Sequence, residues 1–237
     1  MGARVGGRKR CSGILSMNTS TASRARACTW RAAYFVRLYG CDVHCPWCDS
    51  AGTWHKDWRP DSVAMMTAEE VAALVDPAAE FVVITGGEPL LYPLKPLVQA
   101  INKPIHVETA GHRKPDCKVD WLTVSPKLYY RKPNPITMEQ ASEYKFIIDS
   151  EEALDKLWQL TAPYYNGAPI WLHPEWSQRS NPDILRLIVA AVKHPPYPAK
   201  FRAGWQLHKL YMADNLDPNA RREAVPLGGD PWKGMPF

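Results

Sequence analysis

Three cysteines carry the clearest chemistry in this 237-residue chain. Cys41-Asp42-Val43-His44-Cys45-Pro46-Trp47-Cys48 spaces them as C-x3-C-x2-C, with an aromatic residue before the last thiol. Thiolates suit iron–sulfur ligation, and three on one short loop can each take one iron of a four-iron cubane. The fourth iron then has no protein ligand and stays open to a small chelating molecule. The competing chemistry is a structural zinc site with His44 or His55 as fourth ligand. Zinc modules usually pair two C-x2-C knuckles, and only one is present here. Cys11, Cys28 and Cys117 form no partner pattern, and Cys117 reads as a small apolar residue. Clustered thiols without a secretory signal point to metal ligation in a reducing, cytoplasmic setting rather than to disulfides.

Gly86-Gly87-Glu88-Pro89 is the second motif. By itself it reads as a tight turn. Glycines also let the backbone approach a ligand closely, so that carbonyls can accept from an ammonium group. Joined to the cysteine loop, the motif resembles the S-adenosylmethionine (SAM) amino-group site of radical SAM enzymes. There SAM chelates the open iron, and one electron splits its sulfonium carbon–sulfur bond to give a 5′-deoxyadenosyl radical. The cofactor carries the hard chemistry, while the protein orients it and excludes water and oxygen.

These motifs need elements to hold them. Tyr34-Phe35-Val36-Arg37-Leu38, Phe81-Val82-Val83-Ile84-Thr85, Pro104-Ile105-His106-Val107-Glu108, Trp121-Leu122-Thr123-Val124, Tyr144-Lys145-Phe146-Ile147-Ile148 and Ile170-Trp171-Leu172 read as strands. Helical stretches fall at 67–75, where Thr67 and Glu70 have capping-box spacing, and at 93–101, 151–160 and 183–192. Strands without polar alternation, separated by helices, predict an α/β fold with a parallel sheet. So few strands predict an open, partial β/α barrel. Ligands in such folds bind beyond the carboxyl ends of the strands. Gly40-Cys41, Thr85-Gly86-Gly87-Glu88, Glu108-Thr109-Ala110-Gly111 and Ser125-Pro126-Lys127 all fall there.

Charge narrows the function further. Six of the 29 basic residues lie within residues 1–30, which hold no acid, leaving 23 basic against 24 acidic residues in the body. Such a body is not a surface built to neutralise phosphates, so nucleic acid is not the expected partner. No apolar run approaches the roughly 18 residues of a membrane span.

The motifs together resemble one family, 7-carboxy-7-deazaguanine synthase of queuosine and deazapurine biosynthesis. The resembling stretches are Phe35-Val36-Arg37-Leu38-Tyr39-Gly40-Cys41, Cys48-Asp49-Ser50, Thr85-Gly86-Gly87-Glu88-Pro89-Leu90, Val107-Glu108-Thr109, Val124-Ser125-Pro126-Lys127, Tyr144-Lys145-Phe146 and Gln206-Leu207-His208-Lys209. Glycyl-radical activating enzymes share the cysteine loop but not the Ser-Pro-Lys or Gln-Leu-His-Lys segments. The resemblance implies a radical SAM lyase that converts 6-carboxy-5,6,7,8-tetrahydropterin to 7-carboxy-7-deazaguanine with loss of ammonia. It implies a 4Fe-4S cluster on Cys41, Cys45 and Cys48, SAM regenerated after each turnover, and Mg²⁺ on the Ser50 hydroxyl, where the family usually has Thr.

By the same resemblance, Trp47, Gly86, Gly87, Glu88, Ser125, Pro126, Lys127 and His173 would meet SAM. His173 stands where the family has Gln. Arg37 would pair with the substrate carboxylate, and Thr85, Glu108, Gln206 and His208 would line the pterin. Further implied are an electron donor such as flavodoxin or ferredoxin and a homodimer, although no residue marks an interface.

One departure stands out. The family carries a Q-G-E-G loop that grips the pterin, about a dozen residues before the Arg37 strand. Here that place reads Ser20-Thr21-Ala22-Ser23-Arg24-Ala25-Arg26-Ala27-Cys28-Thr29-Trp30. Residues 17–30 can be encoded so that the same bases, read from one position earlier, give N-E-H-V-Y-S-L-Q-G-E-G-V-H-V, with the register returning at Arg31. A frameshift is therefore the expected origin of the head, and an Arg- and Ser-rich transit peptide is the alternative. The expected organisation is an atypical, disordered head over 1–30, a radical SAM partial barrel over 31–210 and an irregular tail over 211–237.

Overall fold

The computed structural model describes residues 11–12, 31–48, 50–56, 64–127 and 131–206. Seven parallel strands form the main sheet: β2 (Ala33–Leu38), β4 (Phe81–Gly86), β5 (Ile105–Thr109), β6 (Trp121–Val124), β7 (Glu143–Ile148), β8 (Ile170–Pro174) and β9 (Phe201–Ala203). They lie side by side in chain order from β2 to β9, and the two edge strands do not pair with each other. The expected open α/β barrel is what forms. A separate two-stranded ribbon pairs β1 (Cys11–Ser12) with β3 (Met65–Met66). The rest of the expected head, and the tail, lie outside the described residues.

Helices α1 (Ala68–Ala73), α2 (Lys95–Ala100), α3 (Pro135–Glu139), α4 (Ala153–Thr161) and α5 (Pro182–Lys193) connect the strands. The capping box read at α1 is present: Thr67 Oγ1 accepts from Glu70 N, and Glu70 Oε2 accepts from Thr67 N. β9 and α3 were not among the elements read from the sequence. Both are short, and Arg202 interrupts the apolar pattern of β9. Asn134 starts α3 by accepting from Ile136 N and Thr137 N, with Pro135 at its first position.

The expectation of strands without polar alternation is corrected by β5 to β8. Ile105, Val107, Leu122, Val124, Tyr144, Phe146, Ile170 and Leu172 point outward into the main core, where Leu97, Met138, Leu157 and Ile188 of the helices cover them. Their neighbours His106, Glu108, Thr123, Glu143, Lys145, Trp171 and His173 fall on the opposite, concave face, as the two-residue strand period requires. On β2 and β4 that face carries a small apolar cluster, Ala33, Phe35, Phe81 and Val83, at its amino end. The sheet is thus an apolar wall outside and a mostly polar bowl inside.

Candidate active site

The cysteine loop leaves the end of β2 through Gly40, whose φ of 98° lies in the region that favours glycine. Gly40 N donates to Thr53 O at 2.7 Å, and Gly40 O accepts from Glu88 N at 2.9 Å. Gly87 N donates to Leu38 O at 3.0 Å, so the loops after β2 and β4 are stitched together by backbone bonds. A Cβ on Gly87 would lie 2.1 Å from Gly40 O and 2.8 Å from Cys41 Cβ. The glycine pair is needed first for this loop-to-loop contact, a reason the sequence did not reveal.

Within the loop, Val43 N points at Cys41 Sγ (3.4 Å) and Ser50 N at Cys48 Sγ (3.4 Å), while Cys48 N closes a turn on Cys45 O (3.0 Å). Burial pushes the Cys45 thiol up to about 12 against the pull of Lys127. Burial also raises Cys41, opposed by hydrogen bonds from His44 and Val43. Without a metal these thiols hold their protons, and iron ligation must displace them. His44 takes a positive φ of 54° and stacks on Trp54 with centroids 4.5 Å apart. His55 meets the same indole edge-on at 5.3 Å. Both imidazoles pack against Trp54. Among the described residues, no group of three or more His, Cys, Asp or Glu is set to hold a single metal ion. The donor set fits a thiolate-bound cluster better than zinc.

Around the loop stand most of the residues singled out from the sequence. Arg37 and Thr85 are register partners on β2 and β4. Arg37 Nη1 donates to Ser50 Oγ at 2.9 Å and to Gly86 O at 3.4 Å. Trp47 Nε1 donates to Asp149 Oδ2 at 3.2 Å, and Lys127 Nζ lies 5.3 Å from the centre of the indole. Lys127 also donates to Ser125 Oγ (2.5 Å), which donates to Lys145 O (2.9 Å); Pro126 between them is buried. Lys145 pairs with Glu108 at 3.4 Å on the concave face. His173 packs against Gly204, where a Cβ would lie 2.2 Å from its Nε2. Gln206 is half-buried just beyond β9, and His208 lies outside the described residues.

The Glu88 side chain is turned inward. It is only 1 % exposed, and its carboxylate accepts from Thr109 Oγ1 (2.6 Å), Ala110 N (2.8 Å) and Leu90 N (3.0 Å). Burial raises its pKa while these three bonds oppose the rise. The side chain therefore ties the loop after β4 to the loop after β5.

Sequence reasoning missed a clamp on the outer flank of the cysteine loop. Asp42 Oδ1 meets His112 Nε2 at 2.9 Å, and its Oδ2 accepts from Arg113 Nη2 at 2.7 Å. Arg131 Nε donates to Asp42 O at 3.0 Å. Burial pulls the Asp42 carboxyl upward, but Arg113 and His112 outweigh it and hold the group below the usual carboxylate range. The only available signal was an acid between two candidate ligands.

Comparison with known proteins agrees with this geometry. A family profile described as a 4Fe-4S single cluster domain matches residues 29–114. A 7-carboxy-7-deazaguanine synthase of Synechocystis is 35% identical over 181 residues, covering 75% of this chain and 82% of that protein. One from Flavobacterium psychrophilum is 32% identical over 184 residues, covering 76% and 83%. The crystal structure of QueE from Escherichia coli superposes with a TM-score of 0.62 at 25% identity, covering 84% of this chain and 92% of that one. Cysteine loop, open parallel sheet and relatives that match across most of their length lead to one assignment: this chain belongs to the 7-carboxy-7-deazaguanine synthase family.

Proposed function

We propose that the chain is a radical SAM lyase converting 6-carboxy-5,6,7,8-tetrahydropterin to 7-carboxy-7-deazaguanine, with ammonia released. The observation that carries this reading is the meeting of the cysteine loop, the Gly86-Gly87 turn and the Arg37–Ser50 pair at the carboxyl end of one open sheet. Cys41, Cys45 and Cys48 would hold the cluster. When bound, cluster and SAM supply a radical able to take an unactivated hydrogen.

The chain's own residues bind and orient. Gly87 and the backbone of Glu88 border the cluster loop, where carbonyls can accept from the SAM ammonium. Trp47, kept in place by Asp149, and the Ser125-Pro126-Lys127 turn would flank the nucleoside, with His173 on the next strand but one. Arg37 would grip the substrate carboxylate through charge-assisted bonds. Thr85, the Glu108–Lys145 pair, Gln206 and His208 would line the pterin.

Ser50 Oγ accepts from Arg37, and by the family resemblance the same hydroxyl would serve Mg²⁺, a hard cation that also takes substrate oxygens and water. Two positive charges then share one hydroxyl, and a substrate carboxylate beside them would relieve the repulsion.

The test is turnover. Protein reconstituted anaerobically with iron and sulfide, and given SAM, Mg²⁺, a reductant and the carboxytetrahydropterin, should release 7-carboxy-7-deazaguanine on mass analysis. A reconstituted cluster that cleaves SAM but leaves this pterin untouched, also with N-E-H-V-Y-S-L-Q-G-E-G-V-H-V in place of residues 17–30, would overturn the substrate assignment.

A further inference from the structure

We propose that His112 is a positioning residue of the cluster site, holding the cysteine loop against the Gly86-Gly87 turn so that SAM can meet both. This rests on the cluster reading above.

Three loops meet at the carboxyl ends of β2, β4 and β5, and each pair of loops is joined in its own way. Backbone bonds join the first two, from Glu88 N to Gly40 O and from Gly87 N to Leu38 O. The Glu88 carboxylate joins the second to the third through Thr109 and Ala110. His112 supplies the inner link from the third loop back to the first. Its Nε2 lies 2.9 Å from Asp42 Oδ1, and its Nδ1 faces Glu88 Oε2 at 4.0 Å. The imidazole thus stands between the residue after Cys41 and the residue after Gly87, and it closes a ring of three loops.

The bond to Asp42 is of the stronger kind. Arg113 and His112 hold the Asp42 carboxyl below the usual carboxylate range, so it is ionised near neutral pH. An ionised carboxylate only accepts, and His112 Nε2 therefore carries the proton and donates. The His112 side chain is 7% exposed, against 43% for Arg113 on the other oxygen of Asp42. Water competes less for the shielded bond than for the exposed pair.

The loop that carries His112 is fixed without the imidazole. Gly111, at a φ of 80°, donates from N to Thr109 Oγ1 at 3.0 Å, and its O accepts from Asn134 N at 2.8 Å. Arg113 O accepts from Thr137 Oγ1 at 2.5 Å. The backbone on both sides of His112 is thereby anchored to the end of β5 and the start of α3. What the side chain holds is Asp42, not its own loop. Were it removed, the three cysteines would remain to take iron, and Arg131 would still hold the Asp42 carbonyl. The loss falls on the placement of the cysteine loop relative to the turn whose carbonyls would receive the SAM ammonium. SAM spans the two, so its binding senses a shift that iron content does not.

The test uses reconstituted holoenzyme carrying His112→Asn or His112→Gln. Both variants bring the same amide, but only the longer one can put an N–H where Nε2 now stands. Two quantities are read without pterin: the SAM concentration that half-converts the paramagnetic resonance signal of the reduced cluster, and the KM and kcat for deoxyadenosine formation. Iron and sulfide are determined on the same samples. His112→Asn should keep wild-type iron yet need about tenfold more SAM, with KM raised by a similar factor, as expected for one lost charge-assisted bond. His112→Gln should return to within about threefold of wild type. A wild-type response to SAM in His112→Asn would overturn the proposal. So would loss of iron in that variant, which would make His112 a support of the cluster itself. A His112→Gln protein as impaired as His112→Asn would also overturn it, because the Asp42 bond would then not be the cause. Wild-type protein that lacks a cluster, or whose cluster ignores SAM, would fail the earlier reading, not this one.

Discussion

At the scale of single residues, the Arg37–Ser50 bond makes two measurable statements. A charge-assisted hydrogen bond contributes about 1.5–3 kcal/mol, so Arg37→Ala should raise the KM for the pterin by about 10- to 100-fold while iron content stays at wild type. The shared Ser50 hydroxyl predicts that Mg²⁺ binds weakly to the SAM-loaded protein and more tightly once the carboxylated substrate is present. Titration calorimetry with and without substrate checks this, and equal affinities would remove Ser50 from the metal site. Glu143 offers a pH test away from the chemistry. It accepts from Thr123 Oγ1 and Trp171 Nε1 inside the bowl, and burial raises its pKa from the ordinary 4.5 despite those bonds. A raised folded-state value means that its proton-linked stabilisation is complete below the unfolded pKa and is lost as pH rises through the folded one. Glu143→Gln, neutral throughout, should therefore gain in Tm relative to wild type as pH rises from about 5 to 8. A difference that does not change with pH would mean that the carboxyl titrates normally.

Elements act through their contacts. Gly87 sits where β4 ends against the cysteine loop, and an added Cβ would meet backbone rather than a flexible side chain. Gly87→Ala should cost about 1–3 kcal/mol from overpacking and lower iron retention, whereas Gly167→Ala, with nothing within 4 Å of its Cβ position, should leave iron retention unchanged. Thermal melts and iron assays on both variants check the contrast. The amino-terminal segment supports a prediction of the same kind. Because residues 17–30 stand in place of a Q-G-E-G loop, protein of this sequence should form its cluster and bind pterin poorly. Restoring N-E-H-V-Y-S-L-Q-G-E-G-V-H-V should lower KM without changing iron content. Equal KM values for the two proteins would dismiss the frameshift as a functional lesion.

For the molecule as a whole, the legible part of the sequence was what depends on local pattern. Apolar runs such as Phe81-Val82-Val83-Ile84 locate strands, and Thr67 with Glu70 locates a helix start, because both signals come from neighbours in the chain. The cysteine spacing and the Gly86-Gly87 turn were legible for the same reason. What stayed hidden is set by register. Glu108 and Lys145 are 37 residues apart and meet only because β5, β6 and β7 lie side by side. Asp42 finds His112 across 70 residues, and Trp47 finds Asp149 across 102. Glu88 shows the limit from the other side: its motif was read correctly, yet burial turns its carboxylate into a brace for Thr109 and Ala110.

The account as a whole depends on a cluster held by three thiolates with one iron left for SAM. Low-temperature electron paramagnetic resonance of the reduced, reconstituted protein, with iron and sulfide determined on the same sample, tests this most directly. The predicted result is about four irons and four sulfides per chain, a reduced-cluster signal that changes when SAM is added, and loss of that signal in Cys48→Ala. A colourless protein holding one zinc, or a cluster signal indifferent to SAM, would contradict it.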